Sequence, residues 1–358
     1  MKILWKILEL FVKIVSLNQK VLHIKRFFNS FVIFVALTLT VGFLGSLLCL
    51  INLDDDLSIE QRMRSTLILQ ILTLVIGHVV FKGIYLFMNC DEFYDLLNWM
   101  KNFEHREFDD LLRDYGKKYT RMTTEWSQKL LRFMFAFYTF GASSFTVEIL
   151  FFTKVVIVPF IPTSNLFGNG IAIFLQIVIS TVAMCAMVFF DILPILTGLH
   201  IVCMTFIIRD SIKKLRIARA PTEADEEASI LGRSKLLKVI QLLHCELLIK
   251  LDAFCNTFSM LALIQLINSF LLLLFILFTT NELTSTLTLK ASFFGAMMEI
   301  LLICLLGQIV SMQPEDIYDD FCQTNWYEMS IVDQKHFLFL PANGSEELRP
   351  KGRRNLQH

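Results

Sequence analysis

The sequence predicts an all-α polytopic membrane protein with six transmembrane helices and long cytoplasmic helical extensions. Three observations carry that expectation. Of 358 residues, 55% are hydrophobic and 18% charged, against about 45–50% and about 25% in soluble domains. The apolar excess is gathered into runs of the length that crosses a bilayer as a helix, about 20 residues. Lys and Arg, finally, alternate between rich and poor along successive connecting segments, the pattern that orients spans.

The N-terminal segment MKILWKILELFVKIVSLNQK has its apolar residues at helical spacing but is broken by Lys6, Glu9 and Lys13. A cleaved signal needs an uninterrupted apolar core, so residues 1–28 read as a cytoplasmic amphipathic segment lying on the membrane face. The first run, NSFVIFVALTLTVGFLGSLLCLI, covers 29–51 and serves as an uncleaved anchor. The second, TLILQILTLVIGHVVFKGIYLFM, covers 66–88, and the third, LLRFMFAFYTFGASSFTVEILFF, covers 130–152. The fourth begins near Gly170 and continues through DILPILTGLHIVCMTFII, longer than a bilayer requires. The fifth lies at 259–280 and the sixth at 289–310.

The segment before the first run holds six Lys or Arg, and the one between runs two and three holds seven, Lys101 to Lys129. Nine more, Arg209 to Lys250, follow the fourth run, whereas Lys154 and Lys290 stand alone in their segments. The N-terminus is therefore expected in the cytoplasm. That orientation, and the lack of an Asp-Arg-Tyr-like stretch after the third run, disfavour a G-protein-coupled receptor. Cytoplasmic helices are expected at 89–129 and 207–257, where charges mix with apolar residues at intervals of three and four. PTEADEEAS, from Pro221, reads as an acidic break between helices.

Net charge is zero, which gives no pull toward nucleic acid. The eight cysteines are scattered singly, without metal or redox spacing, and no cofactor is implied. No phosphate-cradling loop, His-Glu-x-x-His or nucleophile elbow occurs, so the chain is not read as an enzyme. The ionisable residues inside the runs, His78, Lys82, Glu148, Asp191 and Glu299, read as lying singly. Lys82 is expected to snorkel to the cytoplasmic face, Glu148 to reach the headgroups, and Asp191, just before Pro194, to cap or pack or, equally, to meet a ligand. Glu299 is nearest mid-membrane, facing a polar cavity or a neighbouring helix.

With this orientation a ligand arriving from outside meets the outer halves of the spans first. These offer Gln70, Thr73, Phe145, Thr146, Glu148, Phe174, Gln176, Ser180, Phe294 and Met298. Apolar walls with a few amides and hydroxyls suit a small volatile molecule such as a neutral ester, alcohol or aromatic. Packing or lipid contact is the commoner role for any one of them in so Phe-rich a chain.

From Gly307 the chain runs GQIVSMQPEDIYDDFCQTNWYEMSIVDQKHFLFL. With FDILPILTGLHIVCMTFIIRDSIKKL, VIQLLHCELLIKLDAF and IQLINSFLLLLFIL, this order and spacing resembles the insect odorant receptor family over about residues 25–340. The resemblance implies a ligand-gated, non-selective cation channel subunit of the sensory-neuron plasma membrane. Its partners would be an olfactory co-receptor subunit in a hetero-oligomer of four, a small volatile odorant, and membrane lipid. It also implies a cytoplasmic anchor segment at 311–340, with Tyr318, Trp326 and Tyr327 at or near subunit contacts. Insect gustatory receptors share the topology and are the alternative. A six-span transporter or membrane enzyme would want an inverted repeat or clustered ionisable residues at midplane, and none is visible. In the family a seventh span follows the Trp-Tyr stretch. Here residues 341–358, PANGSEELRPKGRRNLQH, have too few apolar residues to cross, and the Asn343 sequon among them is expected to stay unglycosylated.

Overall fold

The computed structural model describes residues 39–45, 47, 48, 51, 59–148, 166–217, 226–280, 287–324, 326–329, 331–335 and 337. The amphipathic N-terminus, residues 29–38 of the first run, 221–225 of the acidic break and the polar tail lie outside the described residues. Within the described residues the protein is helical, without strands. Among the described residues six helices of 15 residues or more follow one another: α1 (Ile59–Met88), α2 (Cys90–Glu104), α3 (Arg113–Glu148), α4 (Leu166–Ile217), α5 (Glu226–Thr280) and α6 (Leu287–Cys322). Among the described residues, Ser65–Leu86, Gly170–Leu215, Gly232–Leu277 and Leu289–Cys322 are long and apolar enough to cross a membrane. Residues 39–45, in the first run, are helical, and residues 130–148 of the third run form the C-terminal part of α3.

The long fourth run is one helix of 52 residues, about 78 Å at 1.5 Å per residue. It continues through Pro194, which has no N–H to offer the carbonyl of Phe190. Membrane helices tolerate that loss where neighbouring groups satisfy the freed backbone. In α5 the helical pattern of SKLLKVIQLLHCELLIKLDAF runs into the fifth apolar run without interruption, giving 55 residues.

The chain forms two compact units. The first comprises Met1–Asp95, Gln128–Ile195 and Thr257–Cys304; the second comprises Leu96–Ser127, Leu196–Asn256 and Leu305–His358. In the first unit α1 is the central helix, with 56% of its span buried. Ile68, Leu72 and Ile76, four apart along one face of α1, pack on Ile179 of α4. The neighbouring stripe, Leu67 and Ile71, meets Leu272 and Ile276 of α5 with Leu289 and Ala296 of α6. Gly42 lies so close to α4 that a β-carbon there would stand 2.7 Å from Ile179 Cγ2, the small-residue approach that membrane helices use. Along α6, by contrast, Phe294, Met297, Leu301, Leu305, Ile309 and Met312 form an exposed apolar stripe at helical spacing, with 11% of that span buried.

The second unit is tied by polar groups seated on aromatic packing. Trp99 and Phe103 of α2 and His200 of α4 meet with ring centroids 5.7–6.4 Å apart. Trp99 Nε1 donates to Glu246 Oε1 of α5 at 2.9 Å, and Arg106 donates to the other oxygen of Glu246 at 2.7 Å. Arg209 of α4 forks onto Asp320 at 2.5 Å and Asp316 at 2.7 Å, two carboxylates one turn apart on α6. Phe321 lies edge-on to His244 and Phe337, and Phe337 stacks on Trp326.

Tyr119 of α3 donates to Asp210 at 2.5 Å and stacks on Phe206. Burial, then this acceptor carboxylate, pushes its phenol up to about 12. A proton held more tightly in the folded than in the unfolded chain leaves stability unchanged below pH about 10, the ordinary tyrosine value. That stability is lost as the pH rises from there through about 12. Alkaline absorbance titrations of wild type and Tyr119→Phe should therefore differ by one ionisation step near pH 12. Curves that differ instead near pH about 10 would refute the assignment.

Candidate functional site

The first unit contains a polar network built from five helices. His78 and Lys82 lie one turn apart on α1 and so share a face. Lys82 is 3% exposed, and its Nζ donates to Asp191 Oδ1 of α4 at 2.5 Å. Asp191 Oδ2 accepts the hydroxyl of Tyr138 on α3. The same hydroxyl lies 3.2 Å from Glu299 Oε1 on α6. Ser269 of α5 donates to the other Glu299 oxygen at 2.7 Å. One turn earlier on α5, Gln265 accepts from His78 Nε2 at 2.7 Å.

This arrangement corrects the expectation that the ionisable residues of the runs stand singly. It also corrects the snorkelling role of Lys82, whose ammonium is paired inside the helices rather than extended to water. A charged group in the hydrocarbon layer is costly unless paired, and the partners here come from other helices. Lys82 and Asp191 are 109 residues apart, and Tyr138 and Glu299 are 161 apart. Glu299 does face neighbouring helices, as expected.

The residues placed in the outer halves of the spans sit in different environments. Gln176 is 4% exposed, and its Nε2 is buried without a hydrogen-bond partner. Thr73 turns its hydroxyl back to the carbonyl of Leu69 at 2.7 Å. Gln70, Ser180 and Met298 are half-buried, while Phe174 and Phe294 are exposed on the single chain. The side chains of Phe145, Thr146 and Glu148 lie outside the described residues. In the second unit Tyr318 and Tyr327 are exposed and Trp326 is half-buried.

Reading the sequence did not single out Tyr138, Ser269 or Gln265 as site residues. Their signal was a polar residue or two inside each of the apolar stretches FAFYTF, INSFLLLL and LIQLIN. Among the described residues no group of three His, Cys, Asp or Glu could hold a metal ion.

A family model described as 7tm Odorant receptor matches residues 66–343. The chain belongs to this family. Among solved structures it is similar to the insect olfactory receptor OR5 from Machilis hrabei, with a TM-score of 0.71 at 15% identity. That match covers 96% of this chain and 89% of the other. The same receptor in complex with eugenol matches with a TM-score of 0.71 at 14% identity, with the same coverage. At such identity the likeness is one of fold. No curated protein sequence matches the chain. The odorant receptor fold accounts for the all-helical architecture, and with the apolar spans it makes this a multi-pass membrane protein.

Proposed function

We propose that this odorant receptor family member is a receptor subunit that binds a small volatile molecule in the outer half of its helix bundle. Together with a co-receptor subunit it gates a cation channel in the sensory-neuron plasma membrane, with its N-terminus in the cytoplasm. The observation that carries the reading is the family match across residues 66–343. The alternation of basic and base-poor segments supports the orientation. Segments 89–129, 207–257 and 311–340 then form cytoplasmic helices and anchor, with Tyr318 and Tyr327 exposed for a neighbouring subunit. The similar fold of a receptor solved with eugenol supports an apolar ligand of that size. Gln176, with a buried amide N–H lacking an acceptor, is the residue proposed to hydrogen-bond the ligand. A ligand carbonyl, ether or hydroxyl oxygen would complete that donor.

The test has two parts. The full chain, purified in detergent, is titrated with eugenol and with a panel of volatile esters, alcohols and aromatics while its thermal unfolding is followed. At least one should raise the midpoint in a saturable way, and Gln176→Leu should weaken that ligand about tenfold. Co-expression with an olfactory co-receptor should give cation currents to the same ligand. Currents evoked by non-volatile tastants and independent of the co-receptor would overturn the reading in favour of a gustatory receptor.

A further inference from the structure

The five-helix network has fewer protons than acceptor positions. Asp191 already accepts at both oxygens, from Lys82 Nζ at 2.5 Å and from the Tyr138 hydroxyl. A phenol carries one proton, and here that proton is committed to Asp191. Yet Glu299 Oε1 stands 3.2 Å from the same phenol oxygen. Two acceptor oxygens facing each other without a proton between them repel. Glu299 Oε2 is meanwhile served by Ser269, whose hydroxyl donates to it at 2.7 Å. A proton on Glu299 would therefore sit on Oε1, the oxygen that faces Tyr138.

We infer that Glu299 is a neutral carboxylic acid whose O–H donates to Tyr138, so that the network is one directed chain of hydrogen bonds. It runs from Ser269 to Glu299, from Glu299 to Tyr138, and from Tyr138 to Asp191, where Lys82 supplies the balancing charge. Every oxygen is then matched, and the ionised groups are one ammonium and one carboxylate. An ionised Glu299 would instead leave the network with an unbalanced negative charge in the hydrocarbon layer, a costly arrangement. The other titratable group facing this cluster is His78 on α1, one turn from Lys82, which gives its Nε2 proton to Gln265.

The consequence is a latch. Of the groups in this network, Glu299 is the one supplied by α6, and its link to Asp191 and Lys82 passes through the single proton shared with Tyr138. Movement of α6 away from α3 within this unit breaks that bond, whereas movement of α6 and α3 together away from α4 breaks the one between Tyr138 and Asp191. In the first case the Glu299 proton has to find another acceptor or leave. This inference concerns the chain itself and does not depend on the odorant reading.

The test is infrared spectroscopy of the full purified chain without ligand. Wild type should show the carbonyl stretch of a buried protonated carboxylic acid, sensitive to exchange into deuterium oxide. Glu299→Gln should lose that band and keep the thermal midpoint of wild type, because an amide donates where the acid did. Tyr138→Phe should keep the band and shift it, since the acid proton loses its acceptor. A wild-type spectrum without the band, or a band that survives Glu299→Gln unchanged, overturns the inference. A Glu299→Asp variant, which keeps the acid but shortens its reach, guards against misfolding of the amide variant. It should retain a band moved from the wild-type position.

Discussion

Lys82→Met in the full chain should cost about 3–5 kcal/mol of stability, the range found when one partner of a buried ion pair is removed. The methionine replaces the volume of the stem but leaves Asp191 with only the Tyr138 hydroxyl as donor. The carboxylate is then buried without its counter-charge. Adding Asp191→Leu should recover more than half of the loss, because apolar groups of similar volume in place of both partners are often neutral. Unfolding midpoints of wild type, the two single variants and the double variant in one detergent close the cycle. A purely additive cycle would show that the 2.5 Å ion pair contributes no coupling.

Trp99→Ala carries the second large effect, about 3–5 kcal/mol for a large aromatic removed from a packed site. The indole is 7% exposed and edge-on to His200. It also makes the 2.9 Å bond that couples α2 to Glu246 of α5. Trp99→Phe keeps most of the ring contact and drops only the N–H. Since Glu246 retains Arg106, that variant should lose about 1 kcal/mol. Equal losses in the two variants would assign the energy to the hydrogen bond rather than to packing. A Trp99→Ala loss within about 0.5 kcal/mol of zero, the range of ordinary surface changes, would show that neither the packing nor the bond to Glu246 contributes to stability.

The helical fold and the family resemblance were legible in the sequence, for a physical reason. A bilayer demands long uninterrupted apolar runs and internally satisfied backbones, and both are local properties of the chain. The resemblance rested on Asp191, His200, Gly307, Tyr318, Trp326 and Tyr327 in their order and spacing, and the match over 66–343 agrees with it. The five-helix network was not legible. Lys82 looked like a residue near a membrane face because its own run says nothing of Asp191, 109 positions later. Tyr138 was hidden among phenylalanines, since a phenol and a phenyl ring fill an apolar run equally well. Its significance lies in one hydroxyl, and the partners of that hydroxyl are set by packing. The proposed ligand positions fall between these cases. Depth along a helix can be counted from sequence, but which face turns inward cannot. Gln176 is buried while Phe174, two residues away, is exposed.

The same network has a consequence for how the protein is made. Lys82 emerges from the ribosome 109 residues before Asp191, a wait of roughly 5–20 s at ordinary synthesis rates. Glu299 follows another 108 residues behind Asp191. Through that interval the Lys82 ammonium lacks the carboxylate that pairs it in the folded chain. On a lone α1, whose apolar span ends four residues later at Leu86, its stem can carry the charge toward the interface. The side chain then has to turn from the membrane surface into the bundle once α4 brings Asp191. The pairing of this lysine is thus a late event in assembly.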